Sequence, residues 1–381
     1  MNSTILKQKI IEYAKEIGIN KIGFTTAKSF NTLEKQLYEQ RRLNYDSGFE
    51  EQDINKRVHP TILMPEAQSI ISIAIAYPSK ISKQLKSSRD ERRGMFSRTS
   101  WGLDYHVVLR KKLNQLASYI KELDDQFVEL SMVDTGPLSD RAVAERAGIG
   151  WTGKNCLIIT EEYGSYVFLG EMITNIPFPP DEPMEDQCLD CTKCLDICPT
   201  KALVGPGQIN AKACIAYLTQ TKDIVPLKYR EQVGNRLYGC DSCQTICPKN
   251  KGMDHHFHPE MEPDEIIARP LLIEMLELSN RQFKEKFGYI AGAWRGKKPL
   301  QRNALLGIAH FKDENAIPHV IHILKNEETF YLRATAAWTL GKIGTDECKQ
   351  ALEEQLEKEP DERVLDEIKL SLNLIKNNKK S

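Results

Sequence analysis

The sequence predicts a mixed α/β N-terminal domain, a cysteine-dense module in the middle and an all-α C-terminal region. Three observations carry this. Strand-length apolar runs alternate with helical periodicities up to residue 180. Eight of the ten cysteines fall between Cys188 and Cys247. From Gln301 a short Ala/Leu-rich phrase with an arginine recurs. At 381 residues the chain exceeds what one core usually serves. The expected segments are 1–180, 181–255, a helical connector at 256–300, and 301–381.

Residues 1–18 read as an amphipathic helix with Ile5, Ile10, Ile11, Tyr13, Ala14 and Ile17 near one face. They contain no signal-peptide apolar core, and no apolar stretch approaches membrane length. The expected location is the cytoplasm. Charged residues make up 28% with a net charge of −1, which excludes a wholly basic nucleic-acid binder and leaves room for a local basic patch.

Ser69–Tyr77 is a buried-strand run ended by Pro78, Tyr105–Leu123 has helical periodicity, and Phe127–Val133 is a second strand. Residues 156–160 and 166–174 flank a turn and are expected to pair as a hairpin. Pro177, Pro179, Pro180 and Pro183 mark a boundary. In the last segment, related phrases begin at Arg302, Arg333 and, more faintly, Arg363, spaced by 31 and 30 residues. That period fits stacked helix pairs of the HEAT type, with an ordinary bundle as the alternative.

In a cytoplasmic chain such a density of cysteines asks for metal rather than disulfides. Cys188, Cys191, Cys194 and Cys198-Pro199 form C-x2-C-x2-C-x3-C-P, the bacterial ferredoxin spacing in which the fourth cysteine serves the other cluster. Cys214, Cys240, Cys243 and Cys247-Pro248 complete a second set. By the crossing rule, Cys188, Cys191, Cys194 and Cys247 hold one [4Fe–4S] cluster, and Cys198, Cys214, Cys240 and Cys243 hold the other. Two structural zinc sites are the alternative, but zinc motifs seldom interlock through C-x3-C-P. Cys156 and Cys348 fall outside the pattern and read as small buried residues. The clusters imply one-electron traffic and leave the substrate open.

The N-terminal domain has no G-x-G-x-x-G after a strand and no P-loop. Asp134 follows an apolar strand and precedes Thr-Gly-Pro. There it is either a proton donor in a pocket or a cap for the helix at Arg141. Gly148-Ile-Gly-Trp-Thr-Gly-Lys-Asn155 either admits a large cofactor to the backbone or is shaped by packing. His106 is either a metal ligand or a hydrogen-bonded core residue. Asp254-His-His-Phe-His258 reads as a surface turn.

The phrases SRTSWGLDYH, VDTGPLSDRAVAERAGIGWTGKN, CTKCLDICPTKAL and YGCDSCQTICPKN together resemble the epoxyqueuosine reductase family, in order from about residue 10 to 300. The resemblance implies an N-terminal cobalamin-binding domain with the cofactor base-off. Cob(I)alamin, supplied with electrons by the two clusters, would reduce epoxyqueuosine to queuosine at the wobble position of tRNA. It also implies Asp134 as the acid, and Arg57, Ser97, Arg98, Tyr105, His106, Lys154, Asn155, Ile158 and Leu169 near the corrin. His106 would not ligate cobalt. Cys156 stands where a small polar residue is expected. The implied partners are the modified tRNA and a low-potential donor such as ferredoxin or flavodoxin, with the enzyme a monomer off the membrane.

Between Arg281 and Arg302, seven basic residues stand against Glu285, with Phe283, Phe287, Tyr289 and Trp294 interleaved. On composition alone this is a solvated helix face with core aromatics. With the resemblance it becomes a tRNA surface of Arg281, Lys284, Lys286, Arg295, Lys297 and Lys298, extended by Lys222 and Lys228. Two other functions fit the cysteines: a reductive dehalogenase-like enzyme on a small molecule, and a non-enzymatic electron-transfer protein.

Overall fold

Six apolar residues and two serines make up Ser69–Ala76, and every one of them is buried, so this strand must be covered on both faces. In the computed structural model, which describes residues 2–378, it lies inside a four-stranded antiparallel sheet. The order is Lys21–Thr26, Ser69–Ala76, Val167–Thr174, Glu129–Met132. Helices Ser3–Glu16 and Tyr105–Leu123 cover one face through Leu6, Ile10, Leu109, Leu113 and Leu116. Asn31–Arg42, Ile54–Val58 and Asp140–Arg146 cover the other through Leu33, Leu37, Val58 and Val143. The N-terminal helix buries Leu6 and exposes Ile5, so its apolar stripe is rotated from the expected one.

The chain divides into two units. The first comprises residues up to Lys80, Gly102–Cys214 and Asp241–Glu262; the second comprises Ile81–Trp101, Ile215–Cys240 and the chain from Pro263 onward. Among the described residues, no helix is long and apolar enough to cross a membrane.

The expected hairpin at residues 156–174 does not form. The turn closes through a Thr160–Gly164 bridge, but Ile158–Ile159 pairs with Trp151–Thr152 while Val167–Thr174 enters the main sheet. A β-propensity run encodes extension, and its partner is chosen by tertiary packing. Nor is Asp254–His258 a plain surface turn. Asp254 Oδ1 accepts the Ser79 and Lys80 amides at 3.0 and 2.9 Å, and His258 is buried with Nε2 2.9 Å from Asn20 Oδ1.

In the second unit, helices Lys297–Phe311 and Ile317–Asn326, Phe330–Ile343 and Asp346–Leu356, and then Glu362–Asn378 follow the HEAT-type pattern. A Cβ on Gly341 would stand 2.6 Å from Ser371 Cβ, so glycine sets the close approach of two of these helices. The recurring arginines serve three different ends. Arg363 pairs with Asp361 at the surface, and Arg333 pairs with buried Glu359 at 2.6 Å. Arg302, counted with the basic stretch from sequence, is fully buried. It donates to the carbonyls of Leu218, Thr221 and Asp223 at 2.6–2.8 Å. Arg302→Leu would strand these acceptors, so a loss of at least ~3 kcal/mol is expected in denaturant unfolding. Arg363→Ala should leave the midpoint unchanged.

Candidate functional site

Asp134 lies two residues beyond the strand Glu129–Met132, at a positive φ of 52°. Asp is among the few non-glycine residues that accept this conformation. Its amide donates to Asp140 Oδ2 at 2.8 Å, and the Thr135 amide turns back to Val133 O at 2.5 Å. The cap is thus not the Asp134 carboxylate, since it is Asp140 that accepts from the loop. The Asp134 side chain is 62% exposed.

Helix Tyr105–Leu123 begins beside it. Its N-cap, Asp104, accepts the His106 amide at 3.0 Å and lies 2.7 Å from His106 Nδ1. His106 Nε2 stands 3.5 Å from Asp134 Oδ2, an ion pair at the edge of hydrogen-bond reach. The Tyr105 ring stacks on His106 on one side and on Phe168 on the other, both at 4.2 Å between centroids. Burial works against charge on His106, but Asp104 and Asp134 outweigh it and raise its pKa to about 9. His106, foremost among the neighbours, holds Asp134 below the usual carboxylate range against burial. A protonated imidazole has no lone pair for a metal. The stabilisation from charged His106 is fully present below its ordinary 6.5 and is lost as pH rises through about 9. Tm measured from pH 6.5 to 9 should therefore fall more in the wild type than in His106→Gln.

The loop at 148–156 answers its two readings in part. A Cβ on Gly148 would meet Glu182 O at 2.6 Å, and one on Gly150 would meet Ile159 O at 2.2 Å, so packing accounts for both glycines. Further along, Asn155 Nδ2 and Trp151 Nε1 are buried without partners. Ile158 and Leu169 lie together in an apolar cluster with Ala144 and Ile149. Lys154 Nζ donates to Leu189 O, and Arg141 Nη1 to Cys156 O at 3.2 Å. Arg57 lies among Glu50, Arg41, Arg141 and Asp140. An apolar floor with buried, unpaired donors suits a macrocycle fringed with amides, so these residues fit a corrinoid. The structure thus brings Tyr105, His106 and Asp134 together in the first unit. Ser97 and Arg98 belong to the second unit, where Ser97 Oγ is 2.8 Å from Thr99 Oγ1 and the Arg98 guanidinium lies over the Trp101 ring.

In the cysteine region, the short helices Lys193–Ile197 and Ser242–Thr245 pack on each other. Burial raises the thiol pKa of Cys194 and of Cys247. Each is raised further by neighbouring thiolates, Cys188 and Cys247 for the former, Cys188 and Cys191 for the latter. Cys194 and Cys247 thus lie within electrostatic reach of each other and of Cys188, and Cys247 of Cys191. Cys198 Sγ accepts the Ala202 amide at 3.2 Å, as a cluster thiolate would.

In the second unit the basic stretch is less cationic than its sequence. Lys286 pairs with Glu274 and Lys298 with Glu327, each at 2.5 Å, and Arg281 pairs with Glu285 at 2.8 Å. Lys297 donates to Leu278 O and Arg295 to Gln220 O. Glu274 and Glu327 lie outside the 281–302 stretch, where a local count cannot see them. Phe283 and Phe287 are core, while Tyr289 and Trp294 are 40% and 52% exposed.

Sequence reasoning missed Asp104, Asp140 and Glu171. The clearest available signal was Glu171, a lone charge inside the apolar strand VFLGEMIT.

Residues 57–135 match the family model described as epoxyqueuosine reductase QueG, DUF1730. Residues 187–250 match the 4Fe-4S double cluster binding domain, and 295–373 match HEAT repeats. The epoxyqueuosine reductase of Bacillus cereus is 60% identical over 370 residues, 97% of each chain. A crystal structure of epoxyqueuosine reductase with an epoxyqueuosine-modified tRNA-Tyr stem loop is 58% identical. It has a TM-score of 0.97 and covers 98% of this chain and 100% of its own. The Bacillus subtilis enzyme, solved with its catalytic aspartate loop swung out of the active site, is 57% identical. Its TM-score is 0.96, with the same coverage.

Proposed function

The chain belongs to the epoxyqueuosine reductase family, and from this premise we propose that it reduces epoxyqueuosine to queuosine at the wobble position of tRNA. In that reaction both C–O bonds of the epoxide break and a C=C bond forms. Two electrons and two protons enter, and water leaves. The observation that carries the reading is the exposed Asp134 carboxylate, held on a left-handed turn beside a cationic His106.

The proposed division of labour follows from the charges. Asp134 faces solvent and delivers a proton to the departing oxygen. The proton is stored on His106, whose Nε2 stands 3.5 Å from Asp134 Oδ2, and Asp104 fixes the imidazole from its other side. Tyr105, clamped between His106 and Phe168, keeps the ring from rotating.

A base-off corrinoid, when bound, supplies a low-potential two-electron nucleophile. The residues proposed to hold it are Asn155 with its unpaired amide, Ile158 and Leu169 as apolar floor, and Lys154 and Arg57 as further contacts. Cys188, Cys191, Cys194 and Cys247 would hold one [4Fe–4S] cluster and Cys198, Cys214, Cys240 and Cys243 the other, which when bound would supply one-electron transfer from a donor such as ferredoxin or flavodoxin; the enzyme is proposed to act as a monomer. For tRNA, Lys222 and Lys284 supply phosphate contacts with Arg281, Lys286, Arg295, Lys297 and Lys298. Tyr289 and Trp294 offer ring faces for bases.

Expression in cells that accumulate epoxyqueuosine tests the substrate. Bulk tRNA should gain queuosine in proportion to the expressed protein. Unchanged epoxyqueuosine with soluble, cluster-loaded protein would reject the reading.

A further inference from the structure

Glu171 stands in the middle of Val167–Thr174, 0% exposed. In register it faces Ser72 on one neighbouring strand and Met132 on the other. Registered residues of antiparallel strands share a face, with Cβ atoms about 4.5–5.5 Å apart. There Ser72 Oγ and both Glu171 carboxyl oxygens are buried without a partner in normal hydrogen-bond geometry. Helix Asp140–Arg146 packs on this strand and brings the Asp140 carboxyl close enough to act on Glu171 electrostatically. Asp140 Oδ2 in turn accepts the Asp134 amide at 2.8 Å, in the loop that leaves the strand just after Met132. The strand that carries Glu171 thus packs against the helix whose first residue anchors the Asp134 turn.

Two facing carboxylates in a core cannot both stay ionised at low cost. We propose that Glu171 is a positioning residue for the Asp134 loop: one proton held between Glu171 and Asp140 steadies Asp140 so that its Oδ2 can hold the Asp134 amide. Its kinetic consequence rests on the deoxygenation reading, but the loop geometry does not.

The electrostatics agree. Burial first, and then the charge of Asp140, push Glu171 well above its ordinary 4.5; burial raises Asp140 to about 6. The other charged groups around the pair are Asp134, with His106 and Asp104 behind it, Arg141 on the same helix, and Arg57 with Glu50 and Arg41. With its pKa raised well above 4.5, Glu171 keeps its proton to higher pH than an ordinary carboxyl does. As pH rises through its raised pKa, a second charge appears beside Asp140 and the grip on the loop weakens. The folded-state pKa is raised, so the associated stability is present below 4.5 and is lost as pH climbs through the folded value.

The test compares wild type, Glu171→Gln and Glu171→Met as holoenzymes. Gln keeps a neutral donor toward Asp140, whereas Met keeps the volume without one. Amide hydrogen exchange across residues 133–138 is read first, because it needs no turnover. In Glu171→Met the loop should exchange at least tenfold faster than wild type at pH 7, and in Glu171→Gln at the wild-type rate. The wild-type loop should lose protection as pH rises through the raised Glu171 pKa, while Glu171→Gln should not. Kinetically, Glu171→Met should lower kcat about tenfold with KM for tRNA unchanged, and Glu171→Gln should flatten the alkaline limb of the profile. Wild-type exchange and kcat in Glu171→Met would overturn the proposal. So would a Glu171→Gln loop as pH-sensitive as wild type, the comparison that decides if the Met variant does not fold. A wild-type enzyme that leaves epoxyqueuosine untouched would reject the reaction while the exchange data still judge the loop.

Discussion

Asp134→Asn is expected to slow deoxygenation of the modified tRNA by about 10²–10⁴-fold, the span a positioned general acid contributes. The substitution is sterically mild. Asn ranks with Asp in tolerating the left-handed φ of 52°. The anchoring bond to Asp140 comes from the backbone and survives. The carboxylate that pairs with His106 and can carry a proton to the substrate is what disappears. Two accompanying changes distinguish this from misfolding. The His106 pKa should fall below about 9 because one of its two acids is gone, readable by NMR. Iron content and the corrinoid spectrum should match wild type. A variant with unaltered rate would remove Asp134 from the acid role.

Cys247→Ser is the second large effect: loss of one cluster and a fall of turnover to background. The crossing rule assigns Cys247 to the cluster whose other ligands lie more than fifty residues earlier. Neighbouring Cys188 and Cys191 add to the burial that raises the Cys247 thiol pKa, as this assignment expects. Serine is a poor substitute for a thiolate, and an incomplete cubane is labile. Iron and sulfide analysis should give half the wild-type content, with the remaining cluster visible by electron paramagnetic resonance. Retention of both clusters would show that Cys247 is not a ligand.

What could be read from sequence depended on how local the governing interactions are. The helix Tyr105–Leu123 and the strand at Ser69 were legible because their apolar spacing repeats within a few residues. The double-cluster module was legible because its first cysteines lie close together in sequence and end in Cys-Pro. Asp134 could be singled out, but its role could not. Whether it caps the next helix depends on Asp140 reaching back to its amide. Glu171 was passed over because its meaning depends on Ser72, brought to it by strand register, and on Asp140, brought by the packing of helix Asp140–Arg146 on the strand. Arg302 looked like part of a charged surface because its carbonyl partners lie about eighty residues earlier. The expected hairpin failed for the same reason: extension is local, whereas partner choice is not.

The most direct measurement is a single-turnover reaction under anaerobic conditions. Protein carrying both clusters is mixed with an epoxyqueuosine-bearing tRNA stem loop and a low-potential reductant, in parallel samples with and without bound corrinoid. Nucleosides are then read by mass spectrometry. Loss of one oxygen atom from the modified base only in the corrinoid-loaded sample, and hardly at all in Asp134→Asn, is the expected result. Equal conversion without corrinoid, or an unchanged nucleoside in the fully loaded wild type, would contradict it.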